Sequence, residues 1–505
     1  MILKTDTSEV QSFLEDASTL RDGHTQGVYF PETYEEVAEL LKDCSERGVR
    51  LTISGNGTGT TGGRIPYGDF ILATNKFNRI LSIQKNPDGT GLATAQCGVL
   101  LYDVQQEVES QGLLYPPDPT ERYCFIGATI SNNSSGARTF KYGPTRSFIE
   151  RLKVALTTGD ILDIPRGTFF ADAGGRFDVA LPSGTHLCFK IPSYRMPDTK
   201  HMAGYFAKPE MDLIDLFIGA EGTLGVVLEA DLRLLAKPEK IFSVVAYFDD
   251  REKVLSFVDA ARWQSQDNLK SQHEGVSARA LEYFDQHALD FLRQKHRTIP
   301  DSAVGAIFFE QEVTSGNEDR LLALWYELME QRGALMEQSW FAQTPDEQQK
   351  LRDFRHDLPV LVNELLARTQ QRKISTDMAV PHAKFRELLE TYDNGCTAGG
   401  FHYIIFGHIG NAHLHLNILP RNNEEFLRAK ELYKTFITKA IELGGTISAE
   451  HGVGKTKSEY LAEMFGSEGI AEMIRIKKVF DPNLVLGIGN LIPEKFLKAD
   501  AHAAI

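Results

Sequence analysis

At 505 residues the chain is longer than one ordinary hydrophobic core supports, so two or more domains are expected. Its composition is that of a globular protein, and a formal net charge of −15 argues against general nucleic-acid binding. No apolar run approaches the roughly 20 residues that cross a bilayer. The opening "MILKTDTSEV" carries no basic segment followed by an apolar stretch, so neither a transmembrane segment nor a secretory signal is expected.

In "PETYEEVAELLKDCSERGVRLTIS", Thr33 and Glu36 form a capping-box pattern ahead of a helix with Val37, Leu40 and Leu41 on one face. Gly48 ends that helix, and "VRLTIS" reads as a strand. In the glycine-rich loop that follows, Gly57, Gly59 and Gly62 match G-x-G-x-x-G. A dinucleotide-binding fold requires a helix next, and "GRIPYGDFILATN" offers Pro66, Gly68 and another strand, so that fold is rejected. What remains is local: consecutive small residues either expose backbone N–H groups in a nest suited to a diphosphate or simply make a turn. The stretch "YPPDPTERYCFIGATISNNSSGARTFKYG" (115–143) is too small and polar for a core strand. It is also too apolar around "FIGATI" for a linker. A third segment, "DLFIGAEGTLGVVLEADLRLL" (215–235), sets "EGTLG" between two apolar, strand-like runs. Three widely spaced small-residue loops on one α+β stretch point to an extended ligand gripped at several places.

Past "AKPEK" (236–240), strands such as "IFSVVAYF" and "GAIFFEQE" alternate with helices over 317–331 and 346–369, the pattern of an antiparallel sheet backed by helices. "GHIGNAHLHLN" (407–417) carries His408, His413 and His415. "HLHLNIL" alternates with period two, placing His413, His415 and Asn417 on one face. "FHYIIFGH" is a preceding strand and "IGNA" a turn, so a hairpin folds His408 back beside the second strand. These histidines fit either a plain polar sheet face or a metal site, which needs a further ligand. "GGTISAEHGVGKTK" (444–457) presents Glu450 and His451 after a short predicted strand. It is not a phosphate-binding Walker loop, because Ala449 stands where the first glycine is required. Cys44, Cys97, Cys124, Cys188 and Cys396 form no C-x-x-C pair, so no iron–sulfur cluster or cysteine-zinc ribbon is encoded.

"ISGNGTGTTGG", "PPDP…IGATISNNSSG" and "GAEGTLGVV", in that order, resemble the FAD-binding domain of vanillyl-alcohol-oxidase-type flavoproteins. With the C-terminal motifs, nearly the whole chain resembles their D-lactate, glycolate and D-2-hydroxyglutarate dehydrogenase branch. The resemblance implies an α+β fold. A two-part FAD-binding domain would span 1–235, an antiparallel-sheet cap domain with helices 236–430, and a C-terminal helical segment 431–505 would return to the flavin. It assigns FAD contacts to Ser54, Gly55, Asn56, Gly57, Thr58 and Gly59 in the first loop. Pro117, Asp118, Thr120, Gly127, Ala128, Thr129 and Asn132 serve in the second, and Gly222, Thr223, Gly225 and Val227 in the third, with Asn490 beside the flavin. Relatives that attach flavin covalently use a first-loop histidine. None lies between 51 and 68, so non-covalent FAD is expected; Cys124 falls near the flavin ring and is read as a small buried residue rather than a cysteinyl link.

The family signatures GHxGDGNxHxN and EHGxG match with Asn411 and Ala412 for Asp-Gly and His413 for Asn. The resemblance places a divalent metal, usually zinc, on His408, His415 and Glu450, with His413 a competing ligand, and makes His451 the catalytic base. Arg355 matches an arginine that clamps the substrate carboxylate, though His356 and Asp357 replace the family's next two residues. Asp377 and Pro381 match, whereas Ser375 stands where D-2-hydroxyglutarate dehydrogenases carry a lysine, with Lys373 nearby.

The expected activity is FAD-dependent oxidation of a D-2-hydroxyacid, D-lactate-like, to the 2-oxoacid. A neutral imidazole suits the hydroxyl proton and a metal lowers the hydroxyl pKa. Electrons would leave to a quinone, a cytochrome, an electron-transfer flavoprotein or an iron–sulfur protein, since no NAD fingerprint is present. Two alternatives stay open: the flavin subunit of a multi-component glycolate or lactate oxidase, and a non-catalytic flavin- or zinc-binding module. A homo-oligomer is expected, cytoplasmic or peripheral at the inner face of a membrane.

Overall fold

In a computed structural model describing residues 1–18 and 20–502, the Thr33 hydroxyl accepts from the Glu36 N–H (3.2 Å) and starts the helix Tyr34–Arg47. The Glu36 carboxylate accepts from the Glu32 N–H (2.7 Å), so the second half of the box closes one residue early. Val37, Leu40 and Leu41 are buried, and Gly48 ends the helix at φ 65°. The strands Leu51–Ser54 and Phe70–Ala73 pair in parallel with only the glycine loop between them. The missing helix excludes the dinucleotide-binding fold, as the sequence predicts. With Gly27–Phe30 and Ile2–Lys4 they form a four-stranded sheet.

A second sheet is built around the 11-residue strand Val226–Ala236, which pairs antiparallel with Gly91–Gln96 on one side and Ile149–Ala155 on the other. "EGTLG" leads directly into that strand. The apolar run before it, expected as a strand, is instead a helical turn, Ile214–Phe217. Ile214, Leu216 and Phe217 are all buried, and a run this short carries no period that separates helix from strand. "IGATIS" likewise forms the short helix Ile126–Ser131.

The third sheet has seven strands, in the order Trp340–Ala342, Lys240–Phe248, Gly305–Val313, Ala278–Asp285, Tyr403–Gly407, His415–Ile418 and Ile374–Ser375, antiparallel throughout. Phe257, on the helix Arg251–Ser271, meets Phe309 on one face. Phe354, on the helix Pro345–Thr369, meets Phe284 on the other. The strand Ala278–Asp285 is therefore buried along its whole length, which makes any ionisable residue on it conspicuous. The predicted helices appear as Glu318–Gln331 and Pro345–Thr369, the latter opened by a complete Thr344–Glu347 capping box. The short strand expected ahead of Glu450 does not form: Thr446 makes only an isolated bridge to Ala379.

The C-terminal segment returns to the first sheet. The Leu51 N–H donates to the Val485 carbonyl (2.8 Å) and the Gly487 N–H to the Leu51 carbonyl (3.0 Å). Fully buried Lys477 donates to Asp481 (2.8 Å) and to the carbonyls of Thr223 and Leu486, tying the third glycine segment to this return. Among the described residues no helix is long and apolar enough to cross a membrane.

Candidate active site

One cleft is lined by all three small-residue loops, with Gly55–Gly59 from the first, Thr120, Gly127–Thr129 and Asn132 from the second, and Gly222, Gly225 and Val227 from the third. Asn490 joins the wall from the C-terminal return. Its amide donates to the carbonyls of Gly63 (2.9 Å) and Glu221 (3.2 Å). Two glycines show why the walls are bare: a Cβ on Gly57 would lie 2.5 Å from Arg64 Nη1, and one on Gly222 would lie 2.9 Å from Ile53 Cδ1. Both have positive φ. Four expected contacts stand behind the wall rather than on it. Ser54 is buried, with its hydroxyl donating to the Gly55 carbonyl, and Thr223 is buried against the Ala220 carbonyl and the Tyr205 hydroxyl. The Pro117 carbonyl accepts from Gln105, and Asp118 pairs with Arg138 at 3.1 Å. Cys124 does line the cleft, but burial pushes its thiol up to about 12.

The hairpin forms with Phe406 opposite His415, and the turn Ile409–Asn411 closes on Ala412 at φ 53°. This brings His408 Nε2 to 3.0 Å and His415 Nε2 to 3.1 Å from a single atom, Glu450 Oε1. The outer atoms of all three residues are pinned. His408 Nδ1 donates to Glu282 Oε1 (2.7 Å) and His415 Nδ1 to the Thr376 carbonyl (3.2 Å), while Lys200 Nζ donates to Glu450 Oε2 (2.5 Å). With both Nδ1 atoms donating, both Nε2 atoms face one carboxylate oxygen, an arrangement that requires a proton or a cation among them. Ligands about 2 Å from a tetrahedral ion stand about 3.3 Å apart, close to the spacing found. The donor set thus fits a divalent cation.

His413 lies among the same potential ligands, within 4.8 Å, yet its Nδ1 accepts from Lys200 (3.3 Å) and its Nε2 faces Asp377 Oδ1 (3.2 Å). Both its nitrogens thus have other neighbours, and neither is within hydrogen-bond distance of Glu450 Oε1. Burial raises the Glu450 carboxyl, but His408, Lys200 and His413 outweigh that and hold it well below the ordinary range.

Asp377 is the anchor beneath this cluster. It is 1% exposed and accepts from Lys457 Nζ (2.6 Å), Ser448 Oγ (2.8 Å) and the backbone N–H groups of Glu450 (3.2 Å) and His451 (3.1 Å). Against its burial, His451 and Lys457 hold it well below the usual carboxylate range. The His451 ring stacks on His415 (centroids 5.0 Å apart, planes 7° apart), with Nδ1 3.8 Å from Asp377 and Nε2 3.8 Å from Glu450 Oε1. Burial pulls its pKa down to about 4, against the opposing charge of Asp377; the side chain keeps 32% exposure, and the direction favours a neutral ring at pH 7. Arg355 reaches the cluster through Glu282, Nη2 to Oε2 at 3.2 Å. Every carboxylate here has its own cation: Glu450 has Lys200, Glu282 has Arg355, and Asp377 has Lys457. A divalent ion would leave the site positive, ready for an anion.

Glu450 and His451 also line the glycine-loop cleft. The cofactor-type loops therefore meet the Glu450–His451 edge of the cluster in one cleft, while His408, His413, His415 and Arg355 lie off its lining. A family described as an FAD binding domain matches residues 25–165, and one described as FAD linked oxidases, C-terminal domain, matches residues 238–491. The chain belongs to the FAD-linked oxidases. Similar proteins include the glycolate oxidase subunit GlcD of Bacillus subtilis, 31% identical over 94% of this chain and 91% of that one. D-lactate dehydrogenase of Anaerostipes hadrus is 28% identical over 90% and 87%. D-2-hydroxyglutarate dehydrogenase of Xanthomonas citri pv. viticola is 27% identical over 97% and 94%. Among solved structures, an alkyldihydroxyacetonephosphate synthase superposes with a TM-score of 0.66 at 16% identity, covering 96% of this chain and 83% of that one. That likeness establishes the fold alone.

Sequence reading missed Lys200, Glu282 and Lys457 as site residues. Lys200 sits in a segment without periodicity. Glu282 carried a readable signal, a carboxylate inside the apolar strand "ARALEYFD".

Proposed function

We propose that this FAD-linked oxidoreductase oxidises a D-2-hydroxyacid, D-lactate-like, to the 2-oxoacid, with His451 as base and Arg355 as carboxylate clamp. The observation that carries this reading is one cleft lined both by the three glycine loops and by Glu450 and His451. Residues 1–235 would hold FAD, 236–430 would cap the substrate, and 431–505 would close the flavin side. His408, His415 and Glu450 would hold a divalent cation, zinc by its preference for two imidazoles and a carboxylate. When bound, FAD supplies a two-electron acceptor for the α-hydride, and the cation lowers the pKa of the substrate hydroxyl.

The protein's own part is positional and acid–base. Arg355 has guanidinium N–H groups to spare beyond its bond to Glu282 and would orient the carboxylate in bidentate fashion. His451 Nε2 would take the hydroxyl proton as the hydride leaves the carbon, which balances the two-electron oxidation. FAD would be non-covalent, because the Cys124 thiol stays protonated at neutral pH and the first loop has no histidine.

The test is anaerobic bleaching of the flavin band by a panel of D- and L-2-hydroxyacids. Bleaching by D-acids supports the reading, and a flavin untouched by every acid sinks it in favour of a binding module. A second reading, the flavin subunit of a multi-component glycolate or lactate oxidase, is favoured by the 31% identity to a protein named as a glycolate oxidase subunit. Reoxidation by quinone, cytochrome, electron-transfer flavoprotein or an iron–sulfur partner, offered in turn, separates the two.

A further inference from the structure

The cleft that would receive FAD is lined by the carboxylates of Asp16, Glu121, Glu221 and Glu450. Arg64 is the sole arginine or lysine on that lining among the described residues. A dinucleotide brings two negative charges on its diphosphate, and backbone N–H groups offer dipoles but no charge to meet them. Arg64 is held as if waiting for that anion. Nη1 donates to the Gly55 carbonyl (3.0 Å) and Nη2 to the Ser12 carbonyl, while the guanidinium lies over the Phe13 ring, 5.5 Å from its centroid. Nε is buried with no acceptor.

The charge of Arg64 is met by no carboxylate at ion-pair distance among the described residues. Asp16 acts on it only from further away, its Oδ1 taken by the N–H and hydroxyl of Ser18. The guanidinium rests on the first loop itself, in the space a Cβ on Gly57 would need.

We propose that Arg64 binds the FAD diphosphate, supplying the positive charge that the glycine loop lacks. The inference rests on the FAD reading above. It also gives a purpose to the N-terminal segment, which precedes the matched FAD-binding region at residue 25. Ser12 and Phe13 aim the guanidinium, and the Ala17 N–H, donating to the Gly59 carbonyl (3.0 Å), straps this segment onto the loop. The acidic cleft explains why one arginine matters: without it the only carboxylate or cationic side chains on the wall would be negative.

The experiment is titration of flavin-free protein with FAD, followed by flavin fluorescence, for the parent, Arg64→Gln and Arg64→Ala. The glutamine keeps a polar amide donor on a shorter stem and removes the charge. Riboflavin, which has the ring and no phosphate, is the control ligand. Loss of a charge-assisted contact should raise the FAD Kd roughly 10- to 100-fold in both variants and flatten its dependence on salt. Riboflavin affinity should stay within threefold. Should the alanine variant fail to fold, the glutamine variant decides the matter. An FAD Kd for Arg64→Gln within threefold of the parent overturns the proposal, as does equal weakening of riboflavin, which would mean a damaged loop. A parent protein that takes up no FAD overturns the cofactor reading itself.

Discussion

Replacing Lys200 by Met removes the ammonium that donates to Glu450 Oε2 at 2.5 Å and keeps most of the apolar stem. Both side chains are buried, at 4% and 9% exposure. Removing one member of such a pair strands the other, at about 3–5 kcal/mol. That cost belongs to the metal-free protein. With a divalent cation on Glu450 Oε1 the carboxylate keeps a positive partner, and the loss shrinks to one charge-assisted hydrogen bond, about 1.5–3 kcal/mol. Because the four states close a cycle, the difference of roughly 2 kcal/mol must reappear as tighter metal binding, on the order of 30-fold. The assay is Zn²⁺ titration of the FAD-loaded, metal-free protein against a competing chelator, with thermal unfolding recorded in both metal states. Lys200→Met should unfold markedly earlier than the parent without metal and approach it with metal. Equal zinc affinity for parent and variant, or equal destabilisation in the two states, would refute the placement of Glu450 as a shared partner of lysine and metal.

His408→Ala and His415→Ala should each retain FAD and lose the metal by elemental analysis, whereas His413→Ala should keep it, because its nitrogens face Lys200 and Asp377. His451→Asn should slow anaerobic flavin reduction by about 10² to 10⁴ with FAD and metal content unchanged. In the parent that rate should stay level from pH 8 to about pH 5 and fall only toward pH 4. Burial lowers the His451 pKa, so the neutral, proton-accepting ring persists below the usual imidazole range. A stopped-flow inflection near pH 6.5 would contradict this environment. Asp377→Asn should destabilise the protein by about 3–5 kcal/mol in denaturant by stranding Lys457. Adding Lys457→Met should recover part of the loss, and a purely additive double variant would show that the two are not coupled.

Much of the fold was legible where structure is local. Thr33 and Gly48 bracket their helix, the helices at 318–331 and 345–369 follow their apolar spacing, and Pro66 and Gly68 correctly forbid a helix after the first loop. The misses share a cause. "DLFIGA" and "GGTIS" are short apolar runs whose state is set by their neighbours. The first is buried all round and coils, and the second has only Ala379 to pair with. Within the site, Asn411, Ala412 and His413 depart from the family signature, yet Ala412 simply takes up the left-handed position that closes the turn.

Which groups could do chemistry is legible along the chain. His408, His415 and the adjacent Glu450–His451 are readable because a strand's period of two decides which side chains share a face, and a tight turn decides which strand folds back. How those groups are charged and aimed follows from contacts between distant segments. Lys200 meets Glu450 across 250 positions of sequence, Glu282 meets His408 across 126, and Asp377 meets the His451 backbone across 74. Hydrogen bonds act over about 3 Å of space and carry no trace along the chain. The tautomers, the paired charges and the lowered imidazole pKa therefore exist only once three sheets have brought distant segments to one cleft.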